Sequence, residues 1–230
     1  EDFSSVEIDL AHLDKLPNEL DQIIKNISEP IRGLVNNAGI GKMAFLEQLS
    51  VADMRLVMET NFLSHAIVTK AFLPQLKKQK SLVDIVFTGS EAALVGARQG
   101  SIYCASKFAV RGFVQAMRDE CARSQVRVSI LNPGAVRTPF FDKLHFEPGG
   151  AKENAIEAED VAEMGFRLRC FFLRFRGPLT LALGLGEASS AAAPAVALSL
   201  GGESEAVGPS SEGSRAAWLA DEPPRATACV

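Results

Sequence analysis

Along the first 164 residues the apolar positions switch repeatedly between two periods, and each switch marks a boundary between elements. Residues 5–10, Ser-Val-Glu-Ile-Asp-Leu, alternate like a short strand. Leu16, Leu20, Ile23, Ile24 and Ile27 then recur at helical spacing over 14–27. A second strand is expected over 31–36, after Pro30 and before the turn at Ala38-Gly39. Ser50 is placed to cap a long helix over 51–78, which Pro74 should bend or end early. A third strand follows at 82–88, a helix at 101–124, and a fourth strand at 126–131. Strand and helix alternate throughout, which predicts an α/β fold: a parallel sheet with helices on both faces.

Beyond this region the pattern changes. Residues 157–164 read as the start of another amphipathic helix, with Asp160 a plausible cap. From Gly165 the periodicity stops, and 186–230 is dominated by Ala, Gly, Ser, Pro and Glu. Such a composition buries too little apolar surface to offset the entropy of ordering, so disorder is expected, with a short helix near 191–200 as the alternative. The chain therefore divides into 1–164, a folded domain, and 165–230, a low-complexity tail.

Composition narrows the function class. The chain has 230 residues, 47% hydrophobic and 23% charged, with net charge −4 and pI about 5.5. No cluster of Lys and Arg interleaved with aromatics suggests a nucleic-acid surface. Cys104, Cys121, Cys170 and Cys229 lack metal-ligand or disulfide-framework spacing, so no metal is expected and reduced thiols are. The apolar stretch 171–185 is broken by Arg174, Arg176, Gly177 and Pro178, too short and interrupted for a bilayer span. No signal-peptide pattern opens the sequence. Together these features point to a cytoplasmic location without membrane contact.

The chemistry centres on Tyr103, the single tyrosine, and Lys107 four residues later. On a helix these positions share a face. A free phenol has a pKa of about 10, and a fixed cation beside it favours phenolate. Ser90 ends the apolar run 83–89 and is placed to hydrogen-bond the same substrate oxygen. The set reads as a proton-handling site for a carbonyl or alcohol; the plainer alternative is a half-buried aromatic beside a solvated lysine.

Three further segments decide between these readings. Leu34-Val35-Asn36-Asn37-Ala38-Gly39 and Met58-Glu59-Thr60-Asn61 stand upstream, and Asn132-Pro133-Gly134-Ala135-Val136-Arg137-Thr138 stands downstream. In this order and at these intervals, the chain closely resembles the short-chain dehydrogenase/reductase family over about residues 5–164. The resemblance implies that Tyr103 exchanges the proton while NAD or NADP transfers hydride. It implies that Lys107 lowers the phenol pKa and holds the nicotinamide ribose, and that Ser90 orients the substrate oxygen. Asn61 would sit at a helix kink and help hold a water; alone it reads better as a buried polar residue satisfied by backbone, but not beside the other three. Asn37, Ala38 and Gly39 would approach the adenosine, with Asp9 and Leu10 near the adenine. Pro133, Gly134, Val136 and Thr138 would border the nicotinamide. His12, His65 and His145 fit no part of the template and read as structural or solvent-facing. Cys104 reads as packing, and Glu91 as a rim or substrate-facing carboxylate.

One departure from the family stands out. Its Thr-Gly-x-x-x-Gly-x-Gly turn, whose backbone N–H groups receive the cofactor pyrophosphate, does not occur in this sequence. The resemblance therefore implies a partial Rossmann-like, doubly wound parallel sheet lacking the first two strands, with impaired cofactor binding. The strand at 5–10 would then be free to pair directly with 31–36. Two functions follow: an NAD(P)-dependent oxidoreductase, or a catalytically inactive form acting as an interaction subunit. The family's dimer or tetramer surfaces correspond to helices 51–78 and 101–124. Leu94, Val95, Phe140, Phe141, Leu144 and Phe146 suggest a small apolar carbonyl or alcohol substrate.

Overall fold

The computed structural model describes residues 6–142, 144, 155–170, 180–185 and 196–198, with side chains described through residue 164. Helix α1 (Leu16–Asn26) starts with proline in its first turn and buries Leu16 and Leu20 completely. Lys25 and Asp21 pair across one turn of its solvent face. Strand β1 (Gly33–Asn36) follows. The long helix expected over 51–78 forms in three parts: α2 (Val51–Met58), a π-helical turn (Glu59–Leu63) and α3 (Ser64–Lys77). Ser50 caps α2 as expected, its hydroxyl accepting from the Asp53 N–H at 3.0 Å. Pro74 lies inside α3, which runs on three residues past it to Lys77. The interruption occurs instead at Asn61, where the helix widens by one residue.

Strand β2 (Val83–Thr88), helix α4 (Ser101–Cys121) and strand β3 (Val126–Leu131) complete the pattern legible in the sequence. Two-residue strands β4 (Val136–Arg137) and β5 (Ile156–Glu157) pair in a separate small sheet. Helix α5 (Ala158–Cys170) begins before Asp160, so that residue is not the cap. Its carboxylate sits inside the first turn and accepts from the Glu157 N–H at 3.3 Å.

The main sheet departs from the sequence reading at one edge. Its order is β3-β2-β1-β6-β7, where β6 is Thr180–Leu185 and β7 is Val196–Leu198. The first four strands are parallel, and β7 runs antiparallel to β6. Residues 6–10 are not a strand: they carry one isolated bridge at Asp9, and the Asp9 carboxylate turns the chain by accepting from the Ala11 N–H at 2.8 Å. The edge of β1 that residues 5–10 were expected to fill is paired with β6, Leu34 opposite Leu181. At Val196–Leu198 the chain is strand rather than the short helix considered for 191–200; the other residues of that stretch lie outside the described residues.

The core lies between the sheet and α1, α3 and α4. Leu34, Ile85 and Phe87 on the strands meet Val68, Phe72 and Leu76 on α3 and Val110 and Val114 on α4, all at most 1% exposed. Edge-to-face rings tie these elements together: Phe62 to Phe113 at 6.0 Å, and Phe113 to Phe87 at 5.9 Å. Both β1→β2 and β2→β3 move the same way along the sheet, and right-handed crossovers therefore put α3 and α4 on one face. At the β2–β3 register, Asp84 receives Arg127 at 2.7 Å and keeps the pair of strands aligned.

Phe72 is among the largest side chains fully enclosed in this layer. Phe72→Ala should lower unfolding free energy by about 3–5 kcal/mol, read as a lower urea midpoint at unchanged m-value. A loss below about 1 kcal/mol would contradict the packing described.

Candidate active site

Parallel strands place their carboxyl ends on one side, and the loops leaving β1, β2 and β3 meet there. From β2 come Thr88, Gly89 and Ser90. Ser90 accepts from the Ala92 N–H at 3.2 Å, which fixes one lone pair and turns its proton away from that turn. Asn132, leaving β3, accepts from the Ser90 N–H at 3.3 Å and so braces the serine from behind.

Helix α4 delivers Tyr103 and Lys107 on its buried face, as the spacing required. Tyr103 is 9% exposed and Lys107 4%. The Lys107 ammonium lies 5.8 Å from the centre of the Tyr103 ring and donates to the Thr88 carbonyl at 3.0 Å. Burial lowers the Lys107 pKa from 10.5 to about 8. The phenol shifts in the direction opposite to expectation: burial raises the Tyr103 pKa, and a side-chain hydrogen bond with Ser90 counteracts this. The acidification expected from Lys107 is absent from the influences on the phenol, which are led by the loss of solvent that the sequence reading did not count.

Asn61 occupies the π-helical turn, fully buried. Its Oδ1 accepts from the Ile40 N–H at 2.8 Å, and its Nδ2 donates to the Ile40 carbonyl at 3.0 Å and to Ser106 Oγ at 3.1 Å. Ser106 in turn donates to the Tyr103 carbonyl at 2.7 Å. One amide therefore clamps the loop after β1 to the helix that carries the tyrosine. Both Nδ2 protons are used, and one Oδ1 lone pair is left for a water such as the family resemblance implies.

The cofactor candidates divide. Gly39 lies inside the cluster: a Cβ there would stand 3.5 Å from Asn61 Oδ1 and 3.6 Å from Lys107 Nζ. Ala38 is fully buried, and Asn37 is exposed and accepts from the Thr88 hydroxyl at 2.6 Å. Pro133 and Gly134 follow β3, with Gly134 against the Glu91 carboxylate. Val136 belongs to β4, and Thr138 is exposed and bonds the Val136 carbonyl at 3.4 Å. Asp9 bonds Ala11 and His12 rather than this cluster, and the Leu10 side chain packs in the core. An open cavity of about 400 Å³ lies beside this N-terminal turn, lined by residues 11–15 and Glu59, away from Tyr103.

Phe140 borders the Tyr103 phenol, the two ring centres 5.8 Å apart. It also covers Gly41, where a Cβ would come within 2.7 Å of the Phe140 ring. Among the other expected pocket residues, Leu94 and Val95 are exposed and Phe146 lies outside the described residues; so does His145, which fits no part of the template. Cys104 is buried packing, its Sγ accepting from the Ala97 N–H. Thr88, Ser106 and Asn132 were not singled out from the sequence, although all three adjoin its motifs. His65 was read as structural or solvent-facing; it is buried.

A nicotinamide cofactor is tested by the donors present. Lys107 has three ammonium protons and one visible partner, and the glycine at position 39 leaves room beside it for a ribose. These residues fit the nicotinamide-ribose half. Among the described residues no helix is long and apolar enough to cross a membrane, and no cluster of His, Cys, Asp and Glu has metal-site geometry.

The chain is 40% identical to a sepiapterin reductase of Chlorobaculum tepidum over 50% of this chain and 46% of that protein. It is 36% identical to human retinol dehydrogenase 8 over 59% and 43%, and 37% identical to mouse 17-beta-hydroxysteroid dehydrogenase type 1 over 53% and 35%. It thus spans less than half the length of these relatives. Among solved structures, an alcohol dehydrogenase of Thermococcus sibiricus complexed with 5-hydroxy-NADP superposes with TM-score 0.60 and 27% identity, over 71% of this chain and 66% of that one. A candidate short chain dehydrogenase of Escherichia coli complexed with NADPH gives 0.60 and 26%, over 70% and 66%. The family model for short chain dehydrogenases matches residues 1–147. With that match over most of the described domain, and with Ser90, Tyr103, Lys107 and Asn61 gathered at the strand ends, the chain belongs to the short-chain dehydrogenase family.

Proposed function

We propose that this chain carries the proton-transfer half of an NAD(P)-dependent oxidoreductase acting on a carbonyl or secondary alcohol. The single observation that carries the reading is the placement of Tyr103 between Ser90 and Lys107. When bound, the nicotinamide gives or takes the hydride. The chain's own residues handle the proton. Tyr103 stays protonated through neutral pH because burial raises its pKa, so it serves as the acid that protonates a carbonyl oxygen. Ser90, its backbone braced by Asn132, donates a second hydrogen bond to that oxygen as negative charge develops there. Lys107 holds the ribose hydroxyls and places a positive charge beneath the phenol, favouring phenolate as the proton leaves. Asn61 keeps the loop after β1 and helix α4 in register while this happens.

An apolar substrate is supported by Phe140 beside the phenol and Phe141 packed on it at 5.2 Å. Two of the relatives are named for retinol and for a steroid, both largely apolar alcohols. A second reading, an inactive interaction subunit, is favoured by apolar side chains exposed on the helices. Its docking surfaces would be the outer faces of α2–α3 and α4, where Leu63 and Phe108 are exposed.

Three measurements check this reading. Millimolar NADH or NADPH should raise the thermal midpoint, and Tyr103→Phe should keep that shift while turnover falls by roughly 10³-fold or more. Absence of any shift would favour the interaction subunit, and turnover retained without the phenol would remove the acid assigned here. In the pH profile, the ammonium of Lys107 predominates below about pH 8 and is lost above it. Reduction kcat/KM should therefore be flat from pH 6 to 7.5 and fall above about 8. In Lys107→Arg that limb should vanish from the accessible range, since guanidinium stays charged. Finally, Phe140→Ala should raise KM for apolar ketones about tenfold with kcat nearly unchanged, the sign of lost uniform binding. An equal fall in kcat would place Phe140 in the chemistry instead.

A further inference from the structure

The loop that leaves β1 carries two glycines beside the site, and space constrains them differently. At Gly39, inside the Asn-Asn-Ala-Gly segment, an added Cβ would meet nothing nearer than 3.5 Å, an ordinary contact. At Gly41 it would fall 2.7 Å from Phe140 Cζ, 3.2 Å from Phe140 Cε1 and 3.3 Å from Leu144 Cδ1. The backbone of Gly41 is not in the left-handed region, so its conformation alone would admit a side chain. What glycine supplies at 41 is room, and the Phe140 ring takes it.

The loop is the firmer side of this contact. Asn61, fully buried in the π-helical turn, holds both the Ile40 N–H at 2.8 Å and the Ile40 carbonyl at 3.0 Å. Phe140 stands in a single 3-10 turn, Pro139–Phe141, and is half-buried. A side chain at 41 would therefore displace the ring, by roughly 1 Å if carbon–carbon contact is to return to about 3.5–4.0 Å. The same ring lies 5.8 Å from Tyr103 and 5.2 Å from Phe141, centre to centre. Moving it reshapes the apolar space that borders the phenol.

We propose that Gly41 is a positioning residue that sets substrate width. By lacking a side chain it seats Phe140 against the loop after β1, which leaves room beside the Tyr103 phenol for the larger substituent of an apolar ketone. The seat stands on the distances above; its effect on substrates rests on the oxidoreductase reading.

Tyr103 is the single tyrosine, so carbon-13 tyrosine labelling of the full chain gives one set of ring signals, within reach of the Phe140 ring current. Gly41→Ala should shift those signals in the otherwise unsubstituted protein and leave them in place in a Phe140→Leu background. With turnover present, Gly41→Ala should raise KM for methyl naphthyl ketone about tenfold at nearly constant kcat, and KM for butanone less than about twofold. In the Phe140→Leu background the further rise for the naphthyl ketone should stay below about twofold, because the two positions act through one contact. Ring signals that do not respond, equal losses for the two ketones, or the same loss in both backgrounds would overturn the proposal. Should Gly41→Ala not fold, recovery of a folded protein on pairing it with Phe140→Leu supports the seat, and an unfolded pair overturns it. If no protein turns over, the ring signals still judge the seat, and the failure falls on the oxidoreductase reading.

Discussion

The site depends on keeping one ammonium out of water. Lys107 is almost wholly enclosed, and the lowering of its pKa from 10.5 to about 8 corresponds to about 3 kcal/mol against the charged form. The sign follows from linkage. Between pH 8 and 10.5 the unfolded chain binds the proton that the folded chain has released, so stability rises with pH through that window. Below pH 8 the protein bears the full penalty. Functional groups are where such a cost is usually found, and the surrounding polar atoms limit it: the Thr88 carbonyl at 3.0 Å, the Asn61 amide nearby, and a glycine rather than a side chain at 39.

The same enclosure governs Tyr103. Taken out of water, the phenol becomes a weaker acid, and Ser90 offsets this in part. A group that stays protonated through neutrality suits proton donation to a carbonyl. Taking a proton from an alcohol needs phenolate, which makes the charge of Lys107 more valuable in that direction. The two pKa values move apart, phenol up and ammonium down, and only the phenol's shift is partly countered by a neighbour. That divergence is set by burial on one helix face, not by the four-residue spacing itself.

Local spacing made much of this legible in the sequence. Tyr103 and Lys107 share a face of any helix, Ser90 had to leave a strand end, and the family resemblance put Asn61 at a helix kink where the structure has a π-helical turn. What escaped depended on contacts distant in sequence. Residues 5–10 carry strand alternation, yet alternation cannot choose a partner, and the Asp9 carboxylate turned the chain instead. Residues 180–185 also carry alternating apolar positions, Leu181, Leu183 and Leu185, hidden within a stretch weighed as a possible membrane span. Their place beside β1 is a pairing across nearly 150 residues. His65 offered no signal at all, since its position follows from how α3 lies on β1 and β2.

The strand-end motifs acquire a common physical cause once β2 and β3 are seen together. A Cβ at Gly89 would fall 2.1 Å from Asn132 Oδ1 and 2.9 Å from the Ile130 side chain. A side chain there would have to push aside the Asn132 amide and the Ile130 tip, so glycine lets both lie close against the end of β2. That closeness lets the Gly89 N–H reach the Leu131 carbonyl at 2.6 Å and the Glu91 N–H reach the Pro133 carbonyl at 2.9 Å. It also lets Asn132 hold the Ser90 backbone. Thr88-Gly89-Ser90 and Asn132-Pro133-Gly134 are therefore two halves of one clasp. One half offers the carbonyl that anchors Lys107 and the hydroxyl that meets Tyr103; the other fixes where both are presented. The precision of the proton site is thus borrowed from the sheet, which is why its residues lie at strand ends and a rigid helix face rather than on the loops beyond them.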